Sequence, residues 1–315
     1  MRVLVTGGAG FIGSNLVYAL VTGGNDVAVI DNLSAGKREN IHPYAWSRVI
    51  DILDPSFPGL VAEFAPDAVV HLAAQASVTE SLRDPDRDWA VNAEGTRIVA
   101  EAARAAGATR VISASSAAVY GEPAQADLPL GEGAPKAPVN PYGRSKLAAE
   151  GLLAEALAGS STDWASFRFS NVYGPRQDGA GEGGVVAIFC QRMHEQLTPV
   201  VYGDGSQTRD FIYVGDVVGA IVSALFAEEP LAQGPGDGSA YNVSTGLETS
   251  VNDLFMALRL ASGYLGAVEY EPAREGDVLR SSLSPLKAAK AFGWSAHQTL
   301  ELGADMTWRW YASQA

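Results

Sequence analysis

The first half of the chain alternates short apolar runs with longer segments of helical periodicity. Each apolar run has the length and the β-branched content of a buried strand. The runs are Val3–Val5, Val27–Ile30, Ala68–Leu72 and Arg110–Ser113. The helical segments between them are Ser14–Val21, Pro58–Phe64 and Trp89–Ala106. This alternation predicts an α/β fold of the Rossmann type, a doubly wound parallel sheet with helices on both faces.

The second half of the chain has more turn signals and shorter predicted elements. Glycine-rich turns occur at 179–184, 203–205 and 233–238. We therefore expect a Rossmann domain at residues 1–171 and a smaller, mainly substrate-binding C-terminal domain at 172–315. Some later segments are expected to return to the main sheet. Ligands of such sheets bind at the carboxyl ends of the strands, so each loop after a strand is a candidate site.

Three glycines separate the first predicted strand from the helix that follows it. Gly7, Gly10 and Gly13 have the spacing Gly-x-x-Gly-x-x-Gly, which lets backbone N–H groups at a helix N-terminus approach a pyrophosphate. The spacing alone also fits a tight turn without a ligand. Asp31 closes the second apolar run roughly 20 residues later, where a carboxylate accepts hydrogen bonds from a ribose diol and repels a 2′-phosphate. Together these residues predict binding of NAD rather than NADP.

Residues after other strands are further candidates for the cofactor site. Asp51 and Ile52 follow Arg48–Ile50, where they would cap an adenine ring with Asp51 near its amino group. The small residues in 72–74 allow the backbone to lie close to an extended ligand. Asn92 is a polar residue among apolar neighbours in a predicted helix. A turn, close packing and a helix cap, respectively, explain the same residues without a ligand.

A tyrosine and a lysine lie four residues apart at the start of a predicted helix. Tyr142 and Lys146 therefore project from one helix face. A phenol with an ordinary pKa of about 10 is a poor base. A nearby ammonium, together with a positively charged nicotinamide, favours the phenolate and makes it useful as a base. An ordinary pair on a helix surface is the alternative.

Hydroxyl groups end the strand that begins at Arg110. Ser116 is placed to hydrogen-bond a substrate hydroxyl or to pass a proton between it and Tyr142, and Ser115 is the neighbouring candidate. A serine at a strand end also serves as a loop cap. The chemical role therefore depends on Tyr142 lying opposite.

Composition and charge exclude several classes of partner. The 315 residues are 47% hydrophobic and carry a formal net charge of −14, which fits a globular chain and argues against nucleic acid or an anionic membrane as the partner. An anionic substrate then requires individually placed arginines. No apolar run approaches the roughly 20 residues of a membrane span. The first residues read as a strand and a glycine loop, not as a signal peptide.

Cysteine and histidine usage adds two expectations. The chain has one cysteine, Cys190, so no intrachain disulfide forms, which fits a cytoplasmic protein. We expect its thiol to fill a core position rather than to do chemistry. His42, His71, His194 and His297 show no metal-ligand spacing, and we predict no metal.

Motifs along nearly the whole chain, in one order, resemble those of the extended short-chain dehydrogenases/reductases. Within the NAD-dependent epimerase/dehydratase family of these proteins, the chain looks most like nucleotide-sugar epimerases of the UDP-glucose 4-epimerase type. The motifs are Thr6–Gly13, Asp31-Asn32, Asp51-Ile52, His71–Ala74, Ser115–Gly121, Tyr142 with Lys146, Arg168–Pro175, Gly203–Val217 and Arg274–Asp277.

The resemblance implies two sets of binding residues. Those implied for NAD are Gly7, Gly10, Phe11, Ile12, Gly13, Asp31, Asn32, Asp51, Ile52, Leu72, Ala73, Ala74, Asn92, Tyr142 and Lys146. Those implied for a UDP-sugar are Ser116, Asn171, Arg209, Arg274, Asp277 and Ser281. In this assignment Asn171 contacts the sugar diphosphate, Arg209 and Arg274 hold the two phosphates, and Asp277 holds the uridine ribose. Surface salt bridges are the alternative for the two arginines.

The reaction implied is inversion of a hexose at C4. Tyr142 removes the proton of the sugar 4-hydroxyl while hydride passes from C4 to NAD, and the 4-keto sugar turns before hydride returns to its other face. Related 4,6-dehydratases and decarboxylases carry an acid just after the Ser116-like position, whereas Ala117 and Ala118 stand here, which favours an epimerase. A UDP-glucuronate 4-epimerase and a non-catalytic NAD-binding regulator are further alternatives.

The resemblance also suggests substrate breadth and assembly. Ser281 stands where a bulky family residue excludes N-acetyl groups, so UDP-N-acetylhexosamines are expected to be accepted besides UDP-glucose and UDP-galactose. Relatives commonly form dimers through helices equivalent to Trp89–Ala106 and Pro141–Leu157, and we expect a homodimer. Ala102, Ala103 and Ala106 permit close helix approach, although burial against the sheet explains them equally.

Overall fold

The computed structural model describes residues 1–122, 124, 127–179, 184–234, 236–273 and 278–314. Its strands are β1 (Arg2–Thr6), β2 (Asp26–Asp31), β3 (Trp46–Val49), β4 (Ala68–His71), β5 (Arg110–Ser116), β6 (Asp163–Phe169), β7 (Asn171–Tyr173), β8 (Val200–Tyr202), β9 (Thr208–Arg209), β10 (Phe211–Tyr213), β11 (Ala240–Val243), β12 (Thr249–Ser250) and β13 (Glu269–Glu271). Its α-helices are α1 (Phe11–Thr22), α2 (Phe57–Phe64), α3 (Val78–Arg83), α4 (Pro85–Trp89), α5 (Gly95–Ala105), α6 (Pro141–Leu157), α7 (Val185–His194), α8 (Val214–Leu225), α9 (Val251–Ser262), α10 (Leu286–Phe292) and α11 (Leu300–Ala312).

Seven parallel strands form the central sheet, in the order β11-β6-β5-β4-β1-β2-β3. Val5 of β1 lies opposite Val29 of β2 and Val70 of β4, and all three are fully buried because helices cover both faces. The strand order reverses between β1 and β4. A crevice at the carboxyl ends of the strands opens at such a reversal. The predicted α/β fold of the Rossmann type is confirmed.

Among the described residues, the three largest hydrophobic clusters lie against different sets of helices. One lies between the sheet and helices α1, α8 and α10, and a second lies between the other face and helices α2, α5 and α6. The third joins α7, α9 and α11 in the second half of the chain, around Phe189 and Leu254. Within the described ranges, no helix combines the length and the apolar character needed to cross a bilayer.

Helix α2 begins one residue before its predicted start at Pro58, and two other predicted helices differ more. Helix α1 begins at Phe11, three residues before the predicted start at Ser14, because Gly10 already occupies the N-cap position. The helix predicted over Trp89–Ala106 is interrupted by a π-turn over Ala90–Glu94. The Asn92 side chain lies in this turn and forms hydrogen bonds with residues of two other segments. Such tertiary contacts accompany the interruption of the helix, and sequence periodicity does not reveal them.

Candidate active site

The glycine loop packs against the chain segment that follows β4. A Cβ on Gly7 would lie 2.6 Å from the Ala73 amide nitrogen, and the φ of Gly7 is +70°, a value that favours glycine. A Cβ on Gly13 would lie 2.1 Å from the Gly7 carbonyl oxygen. Side chains are thus excluded at both positions. The N-terminus of α1 is consequently free to meet an anionic ligand at the switch point of the sheet.

A cleft of about 450 Å³ opens beside this loop. Nine residues implied for the cofactor line it: Gly7, Gly10, Asp31, Asn32, Asp51, Ile52, Leu72, Ala73 and Ala74. Motif reasoning missed others in its lining: Ile30, Ser34, Ala35, Gly36, Ile50, Gln75, Ala76, Ser77, Glu80, Arg87 and Val91. Most of the missed residues lie in the loops after β2 and β4. They could have been predicted from the rule that ligands of such sheets bind at the carboxyl ends of the strands.

The acidic residues of the cleft also shape its walls. Asp31 accepts hydrogen bonds from the backbone amides of Ala9 (2.9 Å) and Leu33 (2.8 Å), which ties the glycine loop to the end of β2. Asp51 accepts from the Asn32 amide group at 2.7 Å. A carboxylate has about four lone-pair sites. Both residues therefore retain acceptor capacity for a ribose or an adenine.

Six residues implied for the cofactor lie outside the cleft lining, and two of them, Tyr142 and Lys146, belong to the candidate catalytic group described below. Phe11, Ile12 and Gly13 form the first turn of α1, with Gly13 behind Gly7. Asn92 is buried, and its amide nitrogen donates to the Ser145 hydroxyl on α6 at 3.1 Å.

The Asn92 amide also fixes the loop after β4. Its oxygen accepts from the Gln75 backbone amide at 2.9 Å, and its nitrogen donates to the Gln75 carbonyl at 3.0 Å and to Asp88 at 3.1 Å. Asn92 thus connects the cleft loop to helix α6 through Ser145. This structural function accounts for a polar residue among apolar neighbours.

The candidate catalytic residues meet where β5 ends and α6 begins. A Cβ on Gly143 would lie 2.5 Å from the Ala118 carbonyl oxygen, so a glycine next to Tyr142 allows the turn after Ser116 to touch the helix. Lys146 is buried, its Nζ donates to the Ala114 carbonyl at 3.0 Å, and it lies 6.0 Å from the centre of the Tyr142 ring.

Burial controls the ionisation of both groups. Burial raises the pKa of Tyr142, contact with the Ser116 hydroxyl lowers it, and the charge of Asp88 raises it. Lys146 was expected to lower the pKa of Tyr142, but the net effect of the protein's own groups is to raise it. Burial lowers the pKa of Lys146 to about 8, opposed by the negative charges of Asp88 and Glu150. Lys146 therefore stays largely protonated below about pH 8.

A buried ion pair supports the helix that carries Tyr142. Glu150, one turn after Lys146, receives two hydrogen bonds from the Arg168 guanidinium of β6, at 2.9 and 2.6 Å. Glu150 also accepts from the Ser115 hydroxyl at 2.6 Å. Ser115 thus faces Glu150 through its side chain, which leaves Ser116 as the hydroxyl near Tyr142.

The second half of the chain brings three of the residues implied for the substrate near one another. Asn171 pairs in register with Phe211, two residues after Arg209. The Thr208 amide, next to Arg209, donates to the Leu279 carbonyl, two residues before Ser281. Ser116 of β5 lies opposite Phe169, which also comes shortly before Asn171. Arg274 and Asp277 lie outside the described residues.

Comparison with known proteins identifies the family. The model of the NAD dependent epimerase/dehydratase family matches residues 3–244. The chain belongs to this family. Its NAD fits the structure, because the glycine loop excludes side chains where a pyrophosphate approaches and the cleft beside it carries acidic residues at two strand ends.

Three members of the family resemble the whole chain. The UDP-glucose 4-epimerase of Mycolicibacterium smegmatis is 42% identical over 322 residues, covering 100% of both chains. The structure of UDP-glucose 4-epimerase from Thermotoga maritima with UDP-glucose is 38% identical, with a TM-score of 0.93 and coverage of 100% of this chain and 99% of that one. The Thermus thermophilus UDP-glucose 4-epimerase, solved with NAD, is 41% identical, with a TM-score of 0.89 and 99% coverage of both chains.

Proposed function

We propose that the chain interconverts UDP-hexoses that differ in configuration at C4, with UDP-glucose and UDP-galactose as the substrate pair, through a 4-keto intermediate. The observation that carries this proposal is the meeting of Ser116, Tyr142 and Lys146 at the carboxyl edge of the sheet that also holds the dinucleotide cleft. Full-length similarity to UDP-glucose 4-epimerases supports the same assignment.

Tyr142 is the acid and base of this proposal. Its phenolate takes the proton of the sugar 4-hydroxyl in one half-reaction, the resulting phenol returns a proton in the other, and the Ser116 hydroxyl hydrogen-bonds the same sugar oxygen. The ammonium of Lys146 favours the phenolate. Bound NAD supplies a reversible hydride acceptor and a positive ring charge that further favours the phenolate. Together these charges oppose the burial that raises the pKa of Tyr142.

The nucleotide end of the substrate is anchored by the second half of the chain. We assign Asn171, Arg209, Arg274, Asp277 and Ser281 to this task, and residues 172–315 mainly to UDP-sugar binding, with 1–171 mainly to NAD binding. Because the net charge of the chain is −14, an anionic diphosphate needs individually placed cations, and guanidinium groups match the geometry of phosphate oxygens. Firm binding of UDP with loose binding of the sugar allows the keto sugar to present both faces to one hydride donor.

A dehydratase is the main alternative reaction. Dehydration needs a further acid near the sugar to handle the second proton. The two residues after Ser116 are Ala117 and Ala118, in the turn that contacts α6. These alanines favour epimerisation.

The proposal also includes the oligomeric state of the protein and its location in the cell. Ala102 and Ala103 are buried in the core between α5 and the sheet, so ordinary burial explains them and they give no support to a helix-paired dimer. We keep the homodimer as a proposal on resemblance alone. A cytoplasmic location is proposed from the single, buried Cys190.

The test is incubation of the purified chain with a panel of UDP-sugars, followed by chromatographic separation of the C4 epimers. We expect UDP-galactose and UDP-glucose to approach one equilibrium ratio from both directions. UDP-N-acetylglucosamine is expected to be turned over as well, because Ser281 is small. Formation of a 4-keto-6-deoxy product would favour a dehydratase. Absence of any product, with UDP and NAD still bound, would favour a regulator.

A further inference from the structure

One basic side chain faces the dinucleotide cleft. Among the lining residues that the structure describes, the charged ones are Asp31, Asp51, Glu80 and Arg87. The cleft thus presents three carboxylates and one guanidinium in a chain of net charge −14. An NAD pyrophosphate carries two negative charges, so these carboxylates oppose its binding at the distances of a small cleft.

The Arg87 guanidinium has no partner among the described residues. Arg87 is exposed on the short helix α4, and its backbone amide donates to the Asp84 carboxylate that caps this helix, at 3.0 Å. Glu80, which also lines the cleft, is paired with Arg83 at 3.1 Å. A guanidinium that lines a cleft without a protein partner is available to a ligand.

Other basic residues close to the glycine loop are already engaged. The Lys37 amide donates to the Ala9 carbonyl of that loop, but the Lys37 ammonium pairs with Asp178 at 3.4 Å. Arg176 stacks over the Tyr18 ring at 4.0 Å. Neither of these two side chains lines the cleft.

We propose that Arg87 binds the pyrophosphate of NAD and supplies the cationic part of a site in which backbone N–H groups also act as donors. The pyrophosphate is the anionic group of NAD, and a planar guanidinium donates two parallel hydrogen bonds to phosphate oxygens. The backbone amides at the glycine loop and the α1 N-terminus act on the same group. This inference rests on NAD binding by the chain. No motif of the sequence assigns Arg87.

The test compares ligands that differ in their phosphates. The affinity for ADP-ribose is measured by calorimetry on the full chain freed of nucleotide. The affinity for adenosine is measured on the same protein by its competition with ADP-ribose. Arg87→Gln is expected to weaken ADP-ribose about tenfold, the loss of one charge-assisted hydrogen-bonding group, and to leave adenosine unchanged. The dependence of ADP-ribose affinity on salt concentration should also become shallower. Arg87→Lys is expected to recover part of the loss.

The control is Arg309→Gln, which removes another exposed guanidinium, from α11 at the other end of the chain. Its affinity for ADP-ribose is expected to match that of the wild type. Equal ADP-ribose affinity in the wild type and Arg87→Gln overturns the inference. An equal loss for adenosine also overturns it, because Arg87 would then contact the nucleoside. Failure of the wild type itself to bind ADP-ribose or NAD would instead contradict the proposed function.

Discussion

His71 is a buried residue whose neutral form the fold requires. Its Nδ1 lies 2.7 Å from the Thr6 hydroxyl and its Nε2 lies 3.1 Å from the Thr96 hydroxyl, so it joins β1, β4 and α5. Burial, and then the positive charge of Lys146, lower the pKa of His71 to about 3. In the unfolded chain the same imidazole takes up a proton below about pH 6.5. Stability is therefore lost as the pH falls from about 6.5 towards 3.

We predict that His71 accounts for about 2 kcal/mol of the stability lost between pH 7 and pH 5. His71→Asn should be less stable than the wild type at pH 7 but should show a pH-dependent decline smaller by that amount. Urea unfolding at the two pH values measures both quantities. His297→Asn, a change at an exposed histidine, is the control and should decline like the wild type. An unchanged decline in His71→Asn would contradict the pKa assignment.

At the scale of residues, the residues that could be predicted from the sequence are those whose chemistry depends on their spacing along the chain. The Gly7 and Gly13 positions follow from a strand that turns directly into a helix, and the structure shows why a Cβ does not fit there. The direction of the Tyr142 pKa shift did not follow from its spacing to Lys146, because it depends on burial by distant segments. Arg87 was missed because an exposed arginine on a short helix has no characteristic pattern.

At the scale of elements, the buried charges between α6 and β6 hold the catalytic helix in place. Arg168 is 1% exposed and donates to Glu150, the Tyr120 hydroxyl (3.0 Å), the Glu132 carbonyl (3.0 Å) and Asp237 (2.9 Å). Removal of one partner from such a network leaves an uncompensated buried charge. The position of α6, and with it that of Tyr142, therefore depends on this pair.

Arg168→Met is expected to destabilise the chain by about 3–5 kcal/mol, since it leaves the Glu150 carboxylate buried without its partner. The double variant Arg168→Met/Glu150→Leu should recover most of this loss, because both charges are then gone. Chemical denaturation of the wild type, both single variants and the double variant measures the coupling. Additive losses in the double variant would show that the two side chains act independently.

The elements themselves were predictable where a local pattern decides them. The apolar runs at β1, β2 and β4 mark strands buried on both faces, and the structure confirms them. The break at Ala90–Glu94 was not predictable, because it accompanies hydrogen bonds from Asn92 to Gln75 and Ser145 that lie far away in sequence. Pairing of β11 with β6 is equally non-local.

At the scale of the whole molecule, the N-terminal half is not complete on its own. Strand β11 forms one edge of the sheet beside β6, and helices α8 and α10 cover the face on which α1 packs. The Arg110 guanidinium of β5 donates to the Ala224 carbonyl at the end of α8, at 2.6 Å. Residues far apart in sequence thus share one core.

We predict that a fragment of residues 1–171 does not unfold cooperatively. Without β11, α8 and α10, the apolar face around Val17 and Phe167 would be exposed to water. Circular dichroism during urea titration, with the full chain as control, checks this. A cooperative transition in the fragment, together with NAD affinity equal to that of the full chain, would show that the first half is an independent domain.

The measurement that tests the account most directly is turnover of UDP-galactose by Tyr142→Phe, with UDP and NAD affinities determined on the same preparation. The account predicts at least a hundredfold lower kcat, the contribution of a positioned acid and base, with both affinities within about threefold of the wild type. Tyr44→Phe, at an exposed tyrosine, is the control and should keep full activity. A Tyr142→Phe variant that turns over UDP-galactose at the wild-type rate would contradict the assignment of Tyr142 as the group that moves the proton.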